Sequence, residues 1–278
     1  MTDNAPETTR HDLVRDLRLA GIGPDDNVIL HSSLRSLGAM RGGPDAVVDA
    51  FMEVIGGGGN LMVPTFTYCI PAWKAEPFDI RATRSRTGAI TEAVRNHPMA
   101  LRSFHPTHSV AVLGPDAEEI VRNHMHATAI GLDSPFGRMH ARRAKILMLG
   151  TRQDTNSSLH YCEVHAAAPY VEVAFTEGRN FDVAWFINER GQVEYTEIHE
   201  VPGCSRGFNK VEAELEQSGV LRRVMLGPAG SQVLDLAALV DTMDVILKRD
   251  PTILLCALEG CSICPRRRRH VMGGGTPA

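Results

Sequence analysis

His160 and Glu163 are the first residues whose types and spacing could do chemistry. They stand three apart in Leu159-His160-Tyr161-Cys162-Glu163, inside a stretch from Ser157 to Ala168 that reads as a helix with Asn156 as its cap. Residues three apart share a helix face. There a neutral imidazole can take a proton from a reacting group, and a carboxylate can orient the ring. The same spacing also describes an ordinary His–Glu pair on a helix surface.

Five polar segments gather at the ends of predicted strands, where open α/β sheets bind ligands. They are His31-Ser32-Ser33-Leu34, Pro64-Thr65-Phe66-Thr67, Arg102 to Ser109, Ser134-Pro135-Phe136-Gly137 and Asn156 to Glu163. Arg102 to Ser109 precedes its strand and fits the crevice rule less well. Backbone N–H groups and hydroxyls at His31, Ser32 and Ser33 suit an anionic ligand, and equally a strand-to-loop cap. Thr65 and Thr67 read as ligand donors or as turn residues after Pro64. Arg102 has the fork that grips a phosphate, with Ser103 and Ser109 as further donors. His105 and His108 read as structural, since Pro106 fixes the turn between them. Gly56 to Gly59 lacks the phosphate-loop pattern and follows a helix, so it is a helix stop.

Of the six cysteines, Cys204, Cys256, Cys261 and Cys264 could supply four thiolates for zinc. Only Cys261 and Cys264 form a C-x-x-C pair, so free or buried thiols are the reading taken and no metal is expected. A zinc-stabilised hydrolase remains a third alternative. Cys162, two residues from His160, faces away from it on a helix, and Cys69 has no nearby base in sequence. A covalent route through either cysteine is therefore the weaker reading.

The elements that must position these groups are legible from periodicity. Helices are predicted over His11 to Ala20, from Pro44 to the glycines at Gly56, over Gly88 to His97, from Pro115-Asp116, and over Leu234 to Leu247. Short apolar strands are predicted at Asn27 to Leu30, Leu61 to Val63, Ser109 to Leu113 and Lys145 to Leu149. This alternation implies an α/β fold with a mostly parallel central sheet and helices on both faces. After Pro169 three runs, Tyr170–Phe175, Asp182–Ile187 and Gln192–Thr196, read as an antiparallel extension in the C-terminal half. The basic, then Gly-rich tail from Arg266 to Ala278 reads as disordered.

The 278 residues are 43% hydrophobic and carry a net charge of −4, which argues against general nucleic-acid binding. No apolar run approaches the ~20 residues that cross a bilayer. With a polar start from Met1 to Arg10, the expectation is a cytoplasmic protein with no membrane partner. Between Glu172 and Glu216 ten acidic residues face four basic ones, a local −6 that leaves the rest at +2. That stretch suits a cationic ligand, or is a solvated acidic face.

Five short motifs occur in one order: HSSLRSLG, PTFT, HPTHS, SP-x-G before an apolar strand, and LHYCE. With them the chain, over roughly residues 10 to 248, resembles the aminoglycoside 3-N-acetyltransferase family. The resemblance implies acetyl transfer from acetyl-CoA to an aminoglycoside amine, at the 3-N position, with His160 as general base and Glu163 as its partner. It implies that coenzyme A is held by His31, Ser32, Ser33, Leu34, Thr65, Thr67, Arg102, Ser103 and Ser109. The acidic stretch supplies Glu194, Glu197 and Glu212 as acceptor-binding candidates. The expected organisation is one catalytic domain over 1–265, with 1–169 holding coenzyme A and 170–265 shaping the acceptor site, in a monomer or homodimer. Alternatives are an N-acetyltransferase for another amine and a non-catalytic coenzyme A-binding protein on the same scaffold.

Overall fold

The computed structural model describes residues 7–126, 128–198 and 202–273. Its strands are β1 Asn27–Ser32, β2 Asn60–Pro64, β3 Leu101–Arg102, β4 Val110–Leu113, β5 Lys145–Leu149, β6 Asp182–Ile187, β7 Val193–Ile198, β8 Leu221–Leu226 and β9 Ala229–Asp235. Its helices are α1 Arg10–Leu19, α2 Gly43–Ile55, α3 Ala89–Asn96, α4 Ala117–Val121, α5 Pro135–Ala141, α6 Ser158–His165, α7 Glu212–Gln217, α8 Leu236–Arg249 and α9 Cys264–Met272. Seven strands form one sheet in the order β3-β4-β2-β1-β5-β9-β8, and β6 and β7 form a separate hairpin. The centre, β2-β1-β5, is parallel; β3, β4, β9 and β8 flank it in antiparallel pairs.

The sheet is covered on both faces because its central strands carry unbroken apolar runs, Val28 to Leu30, Leu61 to Val63 and Ile146 to Leu149. Val28, Leu30, Leu61, Val63, Leu147 and Leu149 pack on the face that receives Leu13 and Leu17 of α1 and Phe51 of α2. Ile29, Met62, Ile146 and Met148 alternate to the other face, against Leu159 of α6 and Leu239 and Met243 of α8. Side chains alternate along a strand, so a continuous apolar run fills both faces. Fold class and the antiparallel C-terminal additions are as expected.

Three local expectations change. Tyr170–Phe175 is not a strand: its backbone closes turns from Val171 to Ala168 and from Val173 to Tyr170. Its apolar residues instead pack with Leu255, Cys256, Ile263 and Cys264. The hairpin β8–β9 went unread because Arg222 and Arg223 interrupt the apolar pattern of an outer strand. Helix α8 accordingly starts later than Leu234, which pairs with Ile146 in β9, and Asp235 caps the helix by accepting from the N–H of Ala238 at 2.9 Å. The basic tail is docked as α9, with Cys264 and Arg267 buried. Arg268 donates to the Leu255 carbonyl and Arg266 to that of Ala174. Residues 274–278 lie outside the described residues. Among the described residues no helix is long and apolar enough to cross a membrane.

Candidate active site

A cavity of about 710 Å³ opens beyond the C-terminal ends of β1, β2 and β5. The order β2-β1-β5 sends the chain to opposite sides of β1, and this switch point leaves a crevice between the connections. His31 and Ser32 enter the cavity from β1, Phe66 from beyond β2, and Thr151 from beyond β5; Ser157 and His160 enter from the start of α6. Thr151 follows Gly150, whose φ of 61° and close approach to Ser36 leave no room for a Cβ: one built there would lie 1.7 Å from the Ser36 hydroxyl oxygen.

Helix α6 is buried all round its first six residues, Ser158 to Glu163. Asn156 caps it as expected, its Oδ1 accepting from the Ser158 N–H at 3.0 Å. His160 Nδ1 lies 2.6 Å from Glu163 Oε2, and the Tyr170 hydroxyl donates to Glu163 Oε1 at 2.8 Å. The Arg267 guanidinium sits 5.4 Å from the centre of the Tyr170 ring. Burial pushes the Glu163 carboxyl up, but the charge and hydrogen bond of His160, the charge of Arg267 and the Tyr170 hydroxyl together hold it below the usual value. The carboxylate therefore accepts a hydrogen bond from the Nδ1–H of His160, which leaves Nε2 with the free lone pair. The edge of Phe208, 4.6 Å away between ring centres, fixes the imidazole from the side. The His160–Glu163 pair is thus buried and oriented rather than a surface pair.

Two other histidines line the cavity. Burial holds His31 down to about 3, and its Nε2 has no hydrogen-bond partner among the described residues. Burial, with the charges of His160 and His124, holds His108 down to about 3. His108 Nδ1 is 2.7 Å from the Thr107 hydroxyl, and its ring packs edge-on against Phe66 and Tyr68. Thr151 Oγ1 is likewise buried without a partner among the described residues.

Of the cofactor candidates, His31 and Ser32 line the cavity and the others do not. The Ser33 N–H donates to the Leu149 carbonyl, and Leu34 packs on the core of the α1–α2 face. Thr65 and Ser109 bond each other at 3.0 Å, Thr67 donates to the Pro106 carbonyl at 2.6 Å, and Ser103 bonds His124 and the Val110 N–H. Arg102 is engaged by the protein itself. Its guanidinium donates to the carbonyls of Ile80, Thr83 and Thr65, while Nε donates to the Ser109 hydroxyl. Its fork is consumed by loop backbone, and it stacks 4.9 Å from the Phe78 ring centre. Arg102→Ala is therefore expected to cost about 2–4 kcal/mol of stability, the scale for losing a buried charged hydrogen-bond network. Urea unfolding and coenzyme A titration read this out; lost affinity at unchanged stability would restore the phosphate role. Ser134 is also structural, capping α5 through the Phe136 N–H, and Gly137 lets the Leu132 carbonyl approach within 1.8 Å of where a Cβ would stand.

The three acceptor candidates lie outside the main cavity as well. Glu212 is buried between Arg152 at 2.9 Å and Arg223 at 2.8 Å, and accepts from Gln232. Glu194, on β7, accepts from Asn188, and Glu197 borders a second cavity of about 290 Å³. Elsewhere in the acidic stretch Glu214 and Glu216 pair with Arg249 and Arg223, and Glu200 falls outside the described residues. Among the described lining residues of the main cavity, Asp154 is the single carboxylate, while Arg86 and Arg206 bring positive charge. Thr151, Asp154, Arg86 and Arg206 escaped the sequence reading. Thr151 and Asp154 follow a strand end and could have been found by the crevice rule; Arg86 and Arg206 carry no local signal.

Residues 29–248 match the family model described as aminoglycoside 3-N-acetyltransferase. Aminoglycoside N(3)-acetyltransferase VII of Streptomyces paromomycinus is 30% identical over 261 residues, covering 84% of this chain and 89% of that protein. Aminoglycoside N(3)-acetyltransferase VIII of Streptomyces fradiae is 34% identical over 183 residues, 58% of this chain and 62% of that protein, so this match spans less than two thirds of its length. The structure of AAC-IIIb in binary complex with CoASH superposes with a TM-score of 0.75 at 26% identity, covering 88% of this chain and 97% of that one.

Proposed function

The chain belongs to the aminoglycoside 3-N-acetyltransferase family, and on that premise we propose that it moves an acetyl group from acetyl-CoA to an aminoglycoside amine, the 3-N position being the one the family name indicates, with His160 as general base. The observation that carries this reading is the hydrogen-bonded chain from Tyr170 through Glu163 to His160, whose imidazole lines the cavity.

The residues present fit both substrates. The thioester of acetyl-CoA supplies the acetyl group and a thiolate leaving group. His31 Nε2 and Thr151 Oγ1, buried and without partners among the described residues, are polar groups that a bound ligand satisfies, and Arg86 and Arg206 suit its phosphates. AAC-IIIb with CoASH is a structural relative, which supports the same cofactor here. Asp154 suits an ammonium group of the acceptor. His160 takes the amine proton at Nε2, Glu163 stabilises the resulting imidazolium, and Tyr170 holds Glu163 in place. Apolar walls from Phe66, Tyr68 and Trp73 keep water from the reacting atoms. We take the chain to act as one catalytic unit. Residues before 169 contribute most of the floor, and 202–206 and 260–263 contribute a wall.

Release of free thiol from acetyl-CoA, measured with kanamycin-like and gentamicin-like aminoglycosides and with simple amines, tests this function. Turnover with at least one aminoglycoside is expected. Turnover with simple amines alone would replace the acceptor class, and no turnover with any amine would remove the activity.

A further inference from the structure

The four cysteines left aside by the sequence reading meet in space. The Sγ atoms of Cys204, Cys256, Cys261 and Cys264 all lie within 4.8 Å of one another, and Cys204 Sγ is 3.7 Å from Cys256 Sγ. Zinc–thiolate bonds of about 2.3 Å in a tetrahedron require sulfur–sulfur edges of about 3.8 Å. The spacing is thus that of four ligands around one ion. It is not the spacing of two disulfides, each of which needs sulfurs about 2.05 Å apart.

We propose that Cys204, Cys256, Cys261 and Cys264 bind one zinc ion as a closed tetrathiolate structural site. Three separate segments supply the sulfurs: the loop at 202–206, the turn after Leu255, and the Cys261-x-x-Cys264 knuckle that opens α9. Four protein ligands leave no open position for a water, so the ion holds structure and does no chemistry. Four thiolates around a divalent ion leave a charge of −2, and the basic run Arg266 to Arg269 follows directly. Within it Arg268 reaches the carbonyls of Leu255 and Cys256 beside the cluster.

The site joins the cavity to the base. Cys204 and Cys261 line the cavity, so the ion fixes that wall. Cys264 and Ile263 share an apolar cluster with Tyr170, and Arg267 lies over the Tyr170 ring. Tyr170 in turn donates to Glu163. The knot therefore positions the support of His160.

Metal analysis of protein purified without a metal-affinity step or added zinc is the test, and it does not depend on acetyl transfer. About one zinc per chain is expected, all of it released by a mercurial reagent. Cys256→Ser and Cys261→Ser are expected to lose it. If those variants do not fold, alkylation of the wild type decides. The half-exposed Cys204 and Cys261 are expected to resist iodoacetamide until a chelator is added, and cobalt-substituted protein is expected to show the visible bands of tetrahedral cobalt thiolate. Less than a tenth of a zinc per chain, with Cys204 and Cys261 alkylated at once without chelator, overturns the site in favour of free thiols. Alkylation only after a reductant overturns it in favour of disulfides.

Discussion

His160→Ala is expected to lower the rate of amine acetylation by roughly a hundred- to ten-thousand-fold, the usual loss for a general base, with coenzyme A affinity nearly unchanged. The geometry separates the two effects. His160 spends Nδ1 on Glu163 and its ring edge on Phe208, so what remains for the reaction is Nε2. The loss is expected in kcat rather than in KM for acetyl-CoA, because the proton is moved only on the way to the transition state. Glu163→Gln is expected to cost less, since the amide still fills the position between His160 and Tyr170 but no longer stabilises an imidazolium. Steady-state rates with a turned-over aminoglycoside, together with calorimetric titration of coenzyme A, read both quantities. Full turnover by His160→Ala at neutral pH would remove His160 from the role. His108 is then the next candidate by position, but burial holds it down to about 3, which makes it a poor base near pH 7.

Acid is expected to unfold the protein through four histidines that the fold keeps neutral. Burial holds His31 and His108 down to about 3 and His124 to about 4; His105 lies well below its ordinary value, from burial and from His124 and His108. An unfolded histidine takes up its proton near pH 6.5. Between that pH and about 4 the unfolded chain therefore binds up to four more protons than the folded one. Unfolding free energy then falls as pH falls, at a limiting slope of about 5 kcal/mol per pH unit. The contribution is fully present above pH 6.5 and is lost on acidification, earlier than carboxylates with usual or lowered pKa values are protonated. Urea or thermal midpoints at pH 8, 7, 6 and 5 check it. They are expected to be flat from 8 to 7 and to drop steeply below 6. Equal midpoints at pH 7 and 5 would mean that these side chains gain protons in the folded state without penalty.

Arg102 and Glu212 show what residue type leaves open in a sequence. Each has a chemistry that suits a ligand, a guanidinium for phosphate and a carboxylate for ammonium. Each is instead satisfied inside the protein, Arg102 by carbonyls 19 to 37 residues away and Glu212 by Arg152 sixty residues away. A buried charge must find partners somewhere, and residue type cannot say whether those partners belong to the protein or to a ligand. The acidic stretch met the same fate, since its surplus is spread over ion pairs, a hairpin and a second cavity.

What the sequence by itself determined is what depends on neighbours along the chain. The apolar runs at Asn27 to Leu30, Leu61 to Val63 and Lys145 to Leu149 had to be strands buried on both faces, and the fold class followed. Asn156 had to cap α6, and a spacing of three had to bring His160 and Glu163 together on it. The ordered motifs carried the family. Only the tertiary structure decided which distant groups meet. It brought Tyr170 to Glu163, Arg267 to Tyr170, and four sulfurs from three segments into one cluster. It also turned a basic tail into a docked helix and an expected strand at Tyr170–Phe175 into a turn whose Tyr170 holds Glu163. Periodicity and capping act over three or four residues. The contacts that choose between a ligand site and a structural brace close over tens to hundreds of residues, where the pattern of the chain carries no signal.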